Sequence, residues 1–212
     1  MNEVGTGFGM DNIINLNSEK REQLSCSKIG VFPGTFDPIH NGHIAFATEC
    51  LNDVDEVWFW PNSMNPHKTP TSLALRLEMM KLAFKSLDHA IRGRFRIIDY
   101  SNVKNRGEMF KLLHLRFPKL SFWNLMGHDR LAEPLTYDPL LADKETIILT
   151  RNLDSRKALN IAFFKNKIII YNDKLFFSSS QVKELLQKNE VDLVKDKLPL
   201  AVLEYIKEKK LY

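Results

Sequence analysis

Short apolar runs alternate with amphipathic stretches along most of this 212-residue chain. Runs rich in β-branched and aromatic residues predict six strands, at 29–32, 55–60, 95–99, 122–126, 146–149 and 167–171. One amphipathic helix is predicted by apolar residues spaced three and four apart, at Leu73, Leu77, Met80, Phe84 and Leu87. Other stretches with helical character lie at 43–51, 107–116, 155–163, 179–188 and 199–209.

Strands that alternate with helices predict an α/β fold, a Rossmann-like doubly wound parallel sheet with right-handed crossovers. In such sheets a ligand binds beyond the carboxyl ends of the strands, at the point where the strand order reverses. In the common order, that point lies between the first and the fourth predicted strand. The loops that follow these two strands, near 34–43 and 127–129, should therefore face each other and bind a nucleotide.

Length and composition indicate one domain. With 44% hydrophobic residues, the chain is long enough to bury one substantial core, which we assign to 28–212. Residues 1–27 are polar and predict a flexible N-terminal extension without the apolar core of a signal peptide. No apolar run approaches the ~18 residues that span a bilayer. Cys26 and Cys50 offer no disulfide framework, which favours a reducing, cytoplasmic location.

The charge of the chain favours an anionic ligand. The net charge is +4, and the basic excess lies in residues 151–212. No arginine-rich run or interleaving of basic and aromatic residues supports a nucleic-acid partner, and no segment suits a membrane. The sequence leaves open whether the protein forms a homo-oligomer.

The most informative stretch is Gly34-Thr35-Phe36-Asp37-Pro38-Ile39-His40-Asn41-Gly42-His43. It follows an apolar run and precedes a helical one, so it predicts a strand, a tight loop and a helix N-terminus. Such a terminus presents unpaired N–H groups and partial positive charge, which suit phosphate. His40 and His43 would donate hydrogen bonds there, and Gly42 leaves room for a ligand.

This stretch resembles the HxGH signature of the nucleotidyltransferase superfamily, and its wider context is similar to bacterial nicotinate-mononucleotide adenylyltransferases. The resemblance implies a nucleotidyltransferase-type fold in which Gly34, Thr35 and Phe36 border ATP and both histidines are catalytic. Residues 32–38 also resemble the opening of phosphopantetheine adenylyltransferases, which usually have Thr at the position of His40.

Two loops supply further candidates. Residues 61–68 resemble the PxxxPPHK element of the family, so Asn65, His67 and Lys68 are predicted to bind substrate; an imidazole and an ammonium in a proline-braced loop would suit an anion. Residues 127–131 resemble the GxDxL element. Gly127 would allow close approach of the nucleotide, and Asp129 would accept hydrogen bonds from ribose hydroxyls.

A late helix start predicts a second phosphate site. Ser178-Ser179-Ser180 places three hydroxyls at a helix N-terminus, and Lys183 lies one turn inside. The segment resembles the family's SSTxIR motif, which implies that Ser179, Ser180 and Lys183 bind the ATP phosphates and that Lys183 contributes to catalysis. Ser180 replaces threonine and Lys183 replaces arginine, and lysine lacks the planar bidentate fork.

The acceptor half departs further from the family. The family's SYTxDT-like stretch, which helps to bind the pyridine ring and its carboxylate, is replaced by a shorter segment at 102–110. Tyr137 stands where a tryptophan usually stacks on the pyridine, and we assign it to substrate binding.

The resemblance implies adenylyl transfer from ATP to nicotinate mononucleotide in NAD biosynthesis, with deamido-NAD and pyrophosphate as products. Mg²⁺ would be bound through the ATP phosphates, because the sequence has no dedicated metal-ligand set. Alternatives are a nicotinamide mononucleotide or phosphopantetheine acceptor, a non-catalytic nucleotide-binding sensor and, more distantly, a nucleic-acid binder.

Overall fold

The computed structural model describes residues 12–17, 27–62, 69–100, 102–103, 105–127, 145–150, 167–171 and 177–212. The described strands are β1 (Ile13–Ile14), β2 (Lys28–Gly34), β3 (Glu56–Pro61), β4 (Phe95–Ile98), β5 (Ser121–Gly127), β6 (Thr146–Thr150) and β7 (Lys167–Tyr171). They form one sheet in the order β1-β4-β3-β2-β5-β6-β7, and every neighbouring pair is parallel. All six strands predicted from the apolar runs are present.

The sheet has its topological switch where the pattern predicted it. The long central strand β2 pairs with β3 on one side and with β5 on the other. From β2, chain order runs outwards through β3 and β4 on one side and through β5, β6 and β7 on the other, and the carboxyl ends of β2 and β5 lie side by side. This arrangement opens a crevice between the loops that follow these two strands.

Helices accompany the strands at nearly the predicted positions. The described α-helices are α1 (Asn41–Cys50), α2 (Leu73–Lys85), α3 (His89–Arg92), α4 (Arg106–Arg116), α5 (Ser179–Gln187) and α6 (Leu200–Glu208), with a 3₁₀ helix at Val191–Val194. The short α3 and the 3₁₀ helix carry no periodic signal long enough to predict. The helix predicted near 155–163 lies outside the described residues.

Both faces of the sheet are covered by apolar side chains, which confirms the doubly wound architecture. Successive residues of β3 alternate between the two cores. Val57 and Phe59 pack with residues of α1, α2, α5 and α6, whereas Trp58 and Trp60 pack with residues of α4. A strand buried on both faces has a continuous apolar sequence, and for this reason the β3 run was easy to recognise.

The N-terminal segment differs from the flexible extension predicted over 1–27. Residues Ile13 and Ile14 pair with Ile97 and Ile98 of β4 and add an edge strand to the sheet. Ile14 and Leu16 are buried in the core beside α4. These apolar contacts explain why a short piece of a polar segment is ordered, and they place residues 12–17 within the domain that we predicted to begin at residue 28.

No helix in the described parts of the chain combines the length and the apolar character that a bilayer span requires. Cys50 lies buried at the end of α1. Burial, together with the nearby Asp53 and Glu49 carboxylates, raises the pKa of its thiol, so Cys50 is a packing residue.

Candidate active site

A cleft opens at the carboxyl ends of β2 and β5, where the strand order reverses. Its walls include every predicted ATP-binding residue that the structure describes, namely Gly34, Thr35, Phe36, His40, His43, Gly127, Ser179, Ser180 and Lys183. The nine residues come from the end of β2 and the loop after it, from the end of β5, and from the first turns of two helices, α1 and α5. The structure therefore brings together residues that are up to 149 positions apart in the sequence, from Gly34 to Lys183.

The N-terminus of α1 is capped by the two histidines of the signature. The Nδ1 atom of His40 accepts from the backbone N–H of His43, and Nδ1 of His43 accepts from the backbone N–H of His40, each at 3.3 Å. The two rings stack with their centroids 3.6 Å apart and their planes inclined by 21°. The pair therefore forms a reciprocal capping box, which fixes both rings relative to the helix start.

This geometry also sets the tautomer of each ring. A ring nitrogen that accepts a hydrogen bond bears no proton, so each neutral imidazole has its proton on Nε2. The aromatic rings of Phe36 and Phe177 pack against His43 and His40, with centroids 5.0 and 4.9 Å away. Both histidines are thus held by packing as well as by hydrogen bonds, with Nε2–H as the donor.

Gly42 provides the space that the stacked pair requires. A Cβ atom at this position would lie 3.0 Å from both Cε1 and Nδ1 of His40. Its backbone φ is not positive, so the glycine is needed for space and not for a left-handed conformation. The prediction that Gly42 makes room for a ligand is therefore refined, because the described group that it admits is the imidazole of His40.

The N-terminus of α5 faces the same cleft. Ser178 is its N-cap, forming a capping box with Gln181. The Ser179 hydroxyl donates to the carbonyl of Pro38 at 3.0 Å, which fastens α5 to the loop before α1. Two helix N-termini, each with its partial positive charge, thus border one cleft, an arrangement that attracts a ligand with several phosphates.

Lys183 donates a hydrogen bond to the carboxylate of Asp37 at the wall of this cleft. Asp37 is only 3% exposed, and it also accepts from Thr71 and from the hydroxyl of Tyr212. Burial raises the pKa of Asp37, but the hydrogen bonds from Lys183, Thr71 and Tyr212 outweigh it and hold the pKa below its usual value. Asp37 is therefore ionised at neutral pH.

Arg76, on the buried side of α2, braces the loop after β2. Its guanidinium donates to the carbonyls of Thr35 at 2.7 Å, Thr71 at 3.0 Å and Asn62 at 3.3 Å. The residue is 1% exposed, and burial lowers the pKa of its guanidinium, partly offset by the nearby Asp37. Arg76 thus supports the cleft from behind, where it replaces water as the partner of three backbone carbonyls.

Sequence reasoning did not assign four residues that the structure places at or behind the cleft: Asp37, Arg76, Arg106 and Tyr212. Helical spacing gave a usable signal for Arg76, which lies on the same face of α2 as Met80 and Phe84. Arg106 is the first residue of α4 and lines the cleft. Asp37 and Tyr212 have no local signal, because they meet across 175 residues of sequence.

Several predicted site residues, Asn65, His67, Lys68, Asp129 and Tyr137, lie outside the described residues. Within the described ranges, no three or more His, Cys, Asp or Glu side chains are grouped so that they could hold a metal ion.

The comparisons with known proteins agree with this geometry. The cytidylyltransferase-like family matches residues 31–185. Two proteins described as probable nicotinate-nucleotide adenylyltransferases, from Bacillus licheniformis and Bacillus pumilus, are 30% and 31% identical over 198 residues; each alignment covers 87% of this chain and 98% of the relative. A solved structure, the Plasmodium falciparum nicotinic acid mononucleotide adenylyltransferase complexed with NaAD, has a TM-score of 0.75 at 20% identity, covering 88% of this chain and 97% of that one.

The structural match supports the fold, and the two bacterial relatives support the family, because each aligns over nearly its whole length. The chain therefore belongs to the cytidylyltransferase-like family and, within it, to the nicotinate-nucleotide adenylyltransferases.

Proposed function

We propose that this protein transfers the adenylyl group of ATP to nicotinate mononucleotide, with deamido-NAD and pyrophosphate as products. One observation supports this reaction above all others. The stacked His40–His43 pair at the start of α1 and the Ser178-capped start of α5 border the same cleft, which gives a polyphosphate two adjacent binding sites. Membership of the nicotinate-nucleotide adenylyltransferases agrees with this chemistry and indicates nicotinate mononucleotide as the acceptor.

In this reaction a phosphate oxygen of the acceptor attacks the α-phosphorus of ATP. A new P–O bond forms there, the bond from the α-phosphorus to the oxygen that bridges to the β-phosphorus breaks, and pyrophosphate leaves with that oxygen. Both reacting groups are already phosphates, so the protein needs to position them and to stabilise negative charge, without forming a covalent intermediate.

His40 and His43 would stabilise the charge at the α-phosphoryl group. Their Nδ1 atoms are engaged in the cap, so Nε2–H is the donor that each ring directs to a phosphate oxygen. The reciprocal cap and the stacking fix these donors before ATP arrives, and pre-set donors lose little energy in reorganisation during the reaction.

Ser179, Ser180 and Lys183 would bind the β- and γ-phosphates at the start of α5. The start of the helix provides partial positive charge, and the Lys183 ammonium lies on the cleft wall, where it is paired with Asp37. Lysine in place of the family's arginine binds phosphate as a point charge. Its position therefore depends on neighbouring residues more than that of an arginine fork would.

We assign Arg106 to the acceptor. It lines the cleft from the start of α4, which covers the face of the sheet opposite α1 and α5. Nicotinate mononucleotide has a carboxylate and a phosphate, and a guanidinium pairs with either group in a bidentate geometry. Arg106 lies in the segment that replaces the family's pyridine-binding stretch, so it would supply acceptor recognition that the missing stretch does not.

The remaining assignments stay predictions: Asn65, His67, Lys68 and Tyr137 at the acceptor, Asp129 at the ribose, and Gly127, Gly34, Thr35 and Phe36 along ATP. The cytoplasmic location and the formation of a homo-oligomer are likewise open to experiment.

Mg²⁺ would be bound through the ATP phosphates and would neutralise part of their charge. The buried carboxylate of Asp37, which lines the cleft, accepts hydrogen bonds from Lys183, Thr71 and Tyr212, and it does not offer a metal ligand. The described residues therefore fit a metal held by the nucleotide better than one held by the protein.

The direct test is pyrophosphate release with ATP and Mg²⁺ in the presence of nicotinate mononucleotide, nicotinamide mononucleotide or phosphopantetheine. We expect release with nicotinate mononucleotide at the highest kcat/KM. Release with another acceptor alone would keep the reaction type but overturn the assigned acceptor. ATP binding without release with any acceptor would refute the enzyme and favour a nucleotide sensor.

A pair of histidine variants makes the test specific to the cleft. His43→Ala should lower kcat by about 10²–10³-fold, the usual loss when one charge-stabilising donor is removed. His89→Ala is the matched control, because His89 lies exposed at the start of α3 and does not line the cleft. Equal activities of the two variants would exclude the assigned role of His43.

A further inference from the structure

Lys183 lies at the cleft wall in a cluster with Asp37 and Tyr212, two residues that are far apart in the sequence. Its ammonium donates to Asp37 and lies 4.8 Å from the centre of the Tyr212 ring. The Tyr212 hydroxyl in turn donates to the other oxygen of Asp37 at 2.5 Å. The three side chains thus contact one another pairwise, and the Lys183 side chain remains 26% exposed, towards the cleft that it lines.

The chain path after α6 explains how Tyr212 arrives there. Helix α6 ends in a Schellman motif: Lys210 adopts a left-handed backbone with φ of 50°, and the N–H of Leu211 donates to the carbonyl of Ile206 at 3.0 Å. This motif reverses the chain direction and directs Leu211 and Tyr212 back onto the core. Tyr212 is half-buried there, beside Asp37.

The chemistry of the cluster suits the positioning of an ammonium. Asp37 attracts the charge, and the face of the Tyr212 ring adds a cation–π contact from a second direction. Thr71 and Tyr212 donate to Asp37 as well, so the carboxylate does not depend on Lys183 alone for its partners. An ammonium has three N–H donors, and the bond to Asp37 leaves two for an anion in the cleft.

We propose that Asp37 and Tyr212 are positioning residues. They hold the ammonium of Lys183 at the cleft wall, so that the Lys183 side chain already has the rotamer that contacts the ATP phosphates. This inference rests on the proposed function for the identity of the anion. A lysine side chain has four flexible bonds, so a fixed ammonium saves the entropy that binding would otherwise cost. Tyr212 itself is not among the described residues that line the cleft.

The decisive experiment is a double-mutant cycle read out as the dissociation constant for ATP. Calorimetry would measure ATP binding to four proteins: the parent, Tyr212→Leu, Lys183→Ala and the double variant. We expect Tyr212→Leu to weaken ATP binding by about tenfold in the parent, and by less than twofold when Lys183 is already absent. We expect the rest of the cleft to keep ATP binding measurable after the loss of Lys183.

Two variants separate positioning from simple packing. Tyr212→Phe keeps the ring and removes only the hydroxyl, so it should weaken ATP binding by a smaller factor than Tyr212→Leu does. Tyr205→Leu is the matched control, since Tyr205 lies on α6, contacts Lys209 and does not line the cleft. Thermal unfolding of each variant would show how much of any change comes from lost stability.

The outcomes distinguish the positioning role of Asp37 and Tyr212 from the proposed adenylyl transfer. The same factor for Tyr212→Leu with and without Lys183, or no effect in the parent, would overturn the positioning role. A cycle with the expected coupling but no pyrophosphate release with any acceptor would support the positioning role and refute the proposed reaction. Absence of ATP binding to the parent protein would refute both.

Discussion

Gly42→Ala is the change for which the structure makes the sharpest prediction, because it adds one methyl group beside the two histidines that we propose as catalytic. The new Cβ would lie 3.0 Å from two ring atoms of His40, closer than ordinary van der Waals contact. The ring must therefore move by about 0.4 Å or more to relieve the overlap. It cannot do so without changing its stacking on His43 and its hydrogen bond to the His43 backbone.

The expected effects on stability and on activity differ in size. A weakened N-cap costs about 0.5–2 kcal/mol, whereas alanine in place of glycine within a helix stabilises by roughly 0.5–1 kcal/mol. The two terms nearly cancel, so Tm should change by only a few degrees. Catalysis has no such compensation, and a misplaced donor of this kind should lower kcat by about 10–100-fold.

The assay is pyrophosphate release at saturating ATP, with thermal unfolding measured on the same preparations. Gly93→Ala is the matched control: there a Cβ would lie 3.3 Å from the carbonyl oxygen of His89, far from the cleft lining. We expect Gly93→Ala to retain activity within about twofold. A Gly42→Ala variant that also retains full kcat would refute the argument that the stacked geometry of His40 is needed for catalysis.

Three further predictions concern other parts of the site. Arg106→Ala should raise KM for nicotinate mononucleotide at least about tenfold while changing KM for ATP less than about threefold, as initial rates would show. The pKa of Asp37 is lowered in the folded state, so the Asp37 carboxylate stabilises the fold above about pH 4. This stabilisation is lost as pH falls through the folded-state pKa. The Tm difference between the parent and Asp37→Asn should therefore be larger at pH 7 than at pH 2. Lys210→Gly relieves a left-handed backbone and should raise Tm by about 2–4 °C in thermal unfolding.

The sheet could be predicted from the sequence because its strands are buried on both faces. Runs such as Val57-Trp58-Phe59-Trp60 leave no polar position to confuse the pattern. Alternation with helices then predicts a parallel sheet, and the common strand order of such sheets agrees with the observed pairing of the central strands. The two-residue strand Ile13–Ile14 could not be found in this way. It is too short to show a period, and the contacts that order it come from β4 and α4.

The residues of the candidate site likewise fall into those with a local sequence signal and those without one. His40, His43 and Ser178 can be recognised in the sequence because they cap helices, and each cap joins residues only three positions apart. Asp37 and Tyr212 act only through tertiary contacts. No periodicity or spacing reports such contacts, so a buried carboxylate in a loop and a tyrosine after the last helix gave no sign of their connection before the fold was known.

The distant origin of the groups around Asp37 also has a consequence for folding. Its partners Thr71, Lys183 and Tyr212 are 34, 146 and 175 residues away. Closing the 146-residue loop has an entropic free-energy cost about 1 kcal/mol higher than closing the 34-residue loop. Favourable contacts offset this cost only after the intervening strands have paired. The cleft should therefore be completed late in folding, after the sheet has assembled. In native-state hydrogen exchange, α6 should open while the central strands remain protected, and this opening would disrupt the cleft.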